Sequence, residues 1–114
     1  MTEPSTPGGD QDFQPRFDIA PGSGQQPATV RAAGDIDLTS APQFQAALTQ
    51  VAATASEVTA DLTGVTYCDS AAIHVLFTVA ESSRLTVIIP ASGPVTTMLK
   101  ITGLDQVATV TTAG

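Results

Sequence analysis

Apolar and polar side chains alternate from Phe13 to Ile19, with Phe17 and Ile19 set against Arg16 and Asp18, which is the two-residue period of a strand with one buried face. A second extended run, Ala28 to Ala33, begins after Pro21-Gly22-Ser23-Gly24, so the pattern predicts a hairpin with a long loop from Ala20 to Pro27. The period then changes. Ala41, Phe44, Ala47, Leu48 and Val51 recur at helical spacing and lay one apolar stripe along residues 41 to 54. Ser40 with Gln43 three residues later has the form of a capping box, and Pro42 is tolerated in a first turn, where amide hydrogens have no helical partner. Val58 to Leu62 reads as a short strand and Thr63-Gly64 as a turn. Ile73, Leu76, Phe77 and Ala80 mark the buried face of a second helix from about Ser70 to Ser82, with His74, Thr78 and Glu81 on its opposite face. Leu85 to Ile89 is an aliphatic run closed by Pro90, as expected of a strand covered on both faces or central in its sheet. A third helix from Ser92 to Thr102 turns Val95, Met98 and Leu99 inward and stops at Gly103, a residue suited to a left-handed cap. Val107 to Val110 is a last short strand.

The order β-β-α-β-α-β-α-β belongs to the α/β class, a mixed β-sheet packed with α-helices, because strands separated by helices return parallel. A chain of 114 residues, 42% hydrophobic, supports one core and no second. Residues 1 to 12, rich in Pro, Gly, Ser, Thr and acid, bury too little apolar area to offset the entropy of ordering and read as a flexible tail. Residues 13 to 114 are then a single domain.

Charge narrows the partners. Four Lys and Arg against 11 Asp and Glu leave a net charge of −7, which excludes a positive field for nucleic-acid phosphates or anionic membrane surfaces. No apolar run approaches the roughly 18 residues that span a bilayer, and Met1-Thr2-Glu3-Pro4 lacks the basic and apolar regions of a signal peptide; a cytoplasmic protein is expected. The single cysteine, Cys68, excludes an internal disulfide and a multi-thiolate metal site. With 4% aromatic residues and no Trp, stacking platforms and deep cofactor pockets are poorly supplied, and no cofactor is expected.

The stretch Asp61-Leu62-Thr63-Gly64-Val65-Thr66-Tyr67-Cys68-Asp69-Ser70-Ala71-Ala72 runs from a strand end through a loop into the second helix. It resembles the central signature of the STAS family, the sulfate-transporter and anti-sigma antagonist domains, in which Asp-Leu-Ser-Gly-Val, an aromatic residue and Asp-Ser-Ser-Gly-Leu follow in this order. Gly34-Asp35-Ile36-Asp37 resembles the family's Gly-Glu-Leu-Asp, and Met98-Leu99-Lys100-Ile101-Thr102-Gly103-Leu104 resembles its Leu-Phe-Asp-x-Ser-Gly-Leu. The resemblance spans residues 28 to 110. Ala71 and Ala72 stand where the family has Ser and Gly, and Lys100 where it has an acid. The resemblance implies a STAS-like fold and a domain that binds an anti-sigma factor, a serine-protein kinase of the histidine-kinase-like ATPase fold, and so frees a sigma factor. It also implies that the kinase inactivates its antagonist by phosphorylating the serine after the signature Asp, here Ser70, and that Asp37 lies beside that position.

Ser70 has a plainer use too, since a serine at a helix start accepts hydrogen bonds from free backbone amides. The same terminus tolerates a phosphate. Phosphorylation would add about −1.5 to −2 charges to a surface already carrying Asp35, Asp37 and Asp69. A loss of ~2.7 kcal/mol there weakens docking ~100-fold, enough for a switch. The expected partner-binding surface is Asp35, Asp37, Asp69, Ser70, Ala71 and His74, on a monomer. Catalysis is not expected: Ser70 and His74 share one helix and lack a Gly-x-Ser-x-Gly elbow or an oxyanion-hole element. Cys68 senses redox only if the helix start lowers its pKa, and is inert as a small buried side chain. The acidic trio reads as a solvated rim rather than a metal site. The competing reading is a STAS scaffold that is not phosphorylated, for example a subunit bound to a transport ATPase or a signalling assembly, consistent with Ala71 and Ala72.

Overall fold

Alternation sets the sheet in the computed structural model, which describes residues 15–20, 27–53 and 55–113. In β2 (Ala28–Ile36), Ala28, Val30, Ala32 and Ile36 are buried, whereas Thr29, Arg31, Ala33 and Asp35 face the other way. The strands β3 (Glu57–Cys68) and β4 (Arg84–Ile89) repeat the pattern in register, aligning Ala28 with Val58 and Leu85, and Val30 with Ala60 and Val87. A short β1 (Arg16–Ala20) pairs antiparallel with β2, and β5 (Thr109–Thr112) closes the far edge parallel to β4. The strand order is therefore β1-β2-β3-β4-β5, the order of the chain itself.

Helices α1 (Ala41–Ala52), α2 (Ser70–Ser82) and α3 (Pro94–Thr102) make the three parallel connections. When strand order advances in one direction and crossovers keep one hand, every connecting helix falls on the same face of the sheet. The core agrees: the buried residues of all three helices join those of one sheet face in a single cluster, with Phe44, Leu48, Leu76 and Leu99 at most 2% exposed. Phe17 of β1 stacks on Phe44 of α1 with ring centroids 5.6 Å apart, tying the edge strand to that layer. The opposite face has no helix among the described residues. It carries Thr29, Thr59, Thr86 and Thr109 side by side across four strands, and Arg31 paired with Asp61 at 3.4 Å.

Several expectations are corrected by tertiary pairing. Thr63-Gly64 is no turn: β3 runs on to Cys68 because β2 extends past Ala33 to Ile36 and supplies the ladder. Two register shifts, between Arg31 and Ala33 and between Gly34 and Asp35, absorb extra residues of β3 as bulges. A Cβ on Gly64 would stand 3.1 Å from the Cβ of Ala33, so the glycine permits this close approach. Strand β4 is covered on one face, not both, and lies second from the edge. Helix α3 starts at Pro94, with Gly93 at φ 122°, rather than at Ser92; it buries Val95, Thr96 and Leu99 and leaves Met98 half-buried. A 3-10 turn at Leu104–Gln106 delays the last strand to Thr109. In α2 the buried set is Ala72, Ile73, Val75, Leu76 and Val79, with Phe77 and Ala80 half-buried. Gly103, at φ 79°, is the left-handed cap expected. Residues 1 to 12, expected as a flexible tail, Phe13 and most of the expected hairpin loop lie outside the described residues.

Candidate functional site

The carboxyl ends of β2 and β3 bring the signature residues together. The backbone amide of Asp69 donates to the carbonyl of Ile36 at 3.1 Å, so the turn after β2 and the start of α2 are neighbours. Asp69, not Ser70, is the N-cap of α2: its backbone is extended and its Oδ1 accepts from the amide of Ala71 at 2.9 Å. The plain reading of Ser70 as the cap is thereby corrected. Ser70 is the first helical residue and is exposed, and among the described residues its hydroxyl makes no hydrogen bond.

The other carboxylates are committed as well. Asp37 Oδ1 accepts from the amides of Thr39 and Ser40 and from the Thr39 hydroxyl, and these bonds hold the exposed Asp37 carboxyl below the usual range. Ser40, expected to close a capping box, makes no side-chain cap; it is buried, and its Oγ accepts from the Asp37 amide at 2.9 Å. Asp37 and Ser40 thus brace one turn at the start of α1. Asp35 accepts from the Thr66 hydroxyl across the bulged end of β3. Asp35, Asp37 and Asp69 share one end of the sheet while each serves a different hydrogen bond.

Two shallow grooves flank Ser70. One, between α1 and α2, is lined by Leu38, Ala41, Pro42, Ala71, His74 and Val75 among others. The second, between α2 and α3, is lined by Ile73, His74, Phe77, Met98, Ile101 and Thr102. Ser70 and His74 border both. Leu38 is 74% exposed and Ile101 79%, so large aliphatic side chains project on either side of the serine. Sequence reasoning missed both; the available signal was that Leu38 precedes α1 and Ile101 falls off the inward stripe of α3. Cys68, beneath this end, is buried, and its thiol is pushed up to about 11 by burial and then by the Asp69 charge. It is a packing residue.

A family model described as "Mlab, STAS domain" matches residues 19–111. The chain belongs to the STAS domain family. Among solved structures, this STAS domain is similar to an anti-sigma factor antagonist from Mycobacterium paratuberculosis, with a TM-score of 0.75 and 19% identity over 87% of this chain and 86% of that one. It is also similar to the anti-sigma factor antagonist SpoIIAA in its unphosphorylated form, with a TM-score of 0.61 and 12% identity over 87% and 90%. The phosphorylated form of the Bacillus cell fate determinant SpoIIAA gives a TM-score of 0.60 and 13% identity over 83% and 90%. At such identities the likeness establishes the fold. No curated protein sequence matches significantly. No helix among the described residues is long and apolar enough to cross a membrane.

Proposed function

We propose that this STAS domain is an anti-sigma factor antagonist: it docks an anti-sigma factor of the serine-kinase type around Ser70, frees the sigma factor, and is dismissed when Ser70 is phosphorylated. The observation that carries the reading is an exposed serine hydroxyl, left uncommitted because Asp69 caps the helix, between two apolar grooves. Leu38 and Ile101 supply apolar contact for a partner, while Asp35, Asp37, Asp69, Ala71 and His74 form the surrounding surface. A phosphate at Ser70 would bring charge into that apolar surface, a strong penalty at a docked interface. The domain acts by binding, as a cytoplasmic monomer, and not by catalysis.

A second reading, a STAS scaffold that is not phosphorylated and serves a transport or signalling assembly, is favoured by Ala71 and Ala72 in place of the Ser and Gly of the signature. The two readings separate in one experiment with candidate ATPase-type anti-sigma factors. Titration calorimetry of wild type and Ser70→Asp, together with phosphate labelling of wild type and Ser70→Ala, is expected to show binding lost in the Asp variant and label lost in the Ala variant. Tight binding without label in wild type selects the scaffold. Equal affinity of wild type and Ser70→Asp overturns the switch.

A further inference from the structure

Ser70 and His74 are the two residues that border both grooves. His74 is the sequence's only histidine, stands one turn after Ser70 on α2, is exposed, and shares both grooves with it. The groove residues contributed by α1 and its preceding turn are Leu38, Ala41, Pro42 and Gln45, and those contributed by α3 are Met98, Ile101 and Thr102; none is titratable. The charged and titratable groups of the adjoining elements are Asp37 before α1, Asp69 and Glu81 on the α2 segment, Lys100 on α3, and, on the strands beneath, Asp35, Glu57, Asp61, Tyr67, Cys68 and Arg84, none of which lines either groove. Asp37 and Asp69 are engaged by backbone amides, and neither Glu81 nor Lys100 lines a groove.

We propose that His74 is the protein's own counter-ion for a phosphate on Ser70, so that the phosphorylated state titrates near neutral pH. The inference rests on Ser70 being the phosphate-bearing residue. An acid followed four residues later by a base is the favourable order for a pair along a helix. A phosphoserine loses its second proton near pH ~6 and an imidazole titrates near ~6.5, so the two overlap. Attraction raises the imidazole midpoint and lowers that of the phosphate, and the protons come off as a coupled pair. At mildly acidic pH the imidazolium offsets one phosphate charge. Once the imidazole loses its proton that offset disappears, and the full charge confronts the apolar grooves. The penalty against a docked partner therefore grows with pH.

The test uses full-length protein with phosphoserine placed at position 70 during translation, without any kinase. Proton NMR follows the single imidazole with and without the phosphate, and phosphorus NMR follows the phosphate in the presence of His74 and in His74→Gln. Phosphorylation is expected to raise the His74 midpoint by about half a pH unit or more, and His74→Gln to raise the phosphate midpoint in the same sense. Midpoints agreeing within ~0.1 unit in either comparison overturn the pairing. Because the phosphate is installed directly, failure of a kinase to label Ser70 counts against the docking switch alone, and unmoved midpoints count against His74 alone.

Discussion

Asp69 carries more of the local structure than its neighbour Ser70, since one carboxylate oxygen caps α2 while its amide ties the helix start to Ile36. Replacing Asp69 with Ala is expected to cost about 1 kcal/mol, with Asn nearly neutral because it can still accept from the Ala71 amide. In thermal melts the Ala variant should then fall by roughly 4–8 °C, and a drop as large for Asn would show that charge, not capping, matters. Cys68 gives a second prediction at this scale. With its thiol raised to about 11, almost none is thiolate at pH 8. Iodoacetamide should leave the native protein unmodified over times that fully alkylate it in urea. Rapid native labelling would contradict the buried placement.

At the scale of elements, periodicity made α2 legible at about Ser70 to Ser82 and gave the inward stripe of α1, because helical spacing depends only on local sequence. It misread Thr63-Gly64, where glycine signals a turn locally but the ladder is supplied by β2, distant in the chain. It also misread both caps: Ser40 stands at the N-cap position of α1 without capping it and Ser70 lies one residue inside α2, while the carboxylates of Asp37 and Asp69 accept the amides. The grooves were illegible because each needs two helices in contact, and no single stretch contains that information. Gly103 was read from sequence and permits a direct test. Nothing lies within 4 Å of an added Cβ, so Gly103→Ala isolates the cost of φ 79°. A loss of about 1 kcal/mol in urea unfolding is expected, whereas no change would mean that α3 stops for another reason.

Across the whole molecule, acid stability follows from the open sheet face. Burial pushes Asp61 up, but the Thr63 hydroxyl and amide and the Arg31 guanidinium outweigh it and hold the carboxyl below 3.8. A carboxyl whose folded pKa is depressed contributes stability above its unfolded value and loses it as the pH falls through the folded one. Wild type should therefore weaken below about pH 4, while Asp61→Asn is less stable at neutral pH and shows a shallower acid limb. Urea midpoints between pH 7 and 2 check this, and parallel curves for the two proteins would refute it.

The strand order has a consequence for how the chain is made. Each strand after the first takes its place beside the one synthesised just before it, so no strand must be inserted between two that have already paired. A polypeptide emerging from the ribosome at about 5–20 residues per second can thus add one strand and helix at a time to a growing edge without reopening what has formed. Ser70 begins the helix that follows β3, so the serine emerges before β4 and β5, the strands that complete its scaffold, have been synthesised.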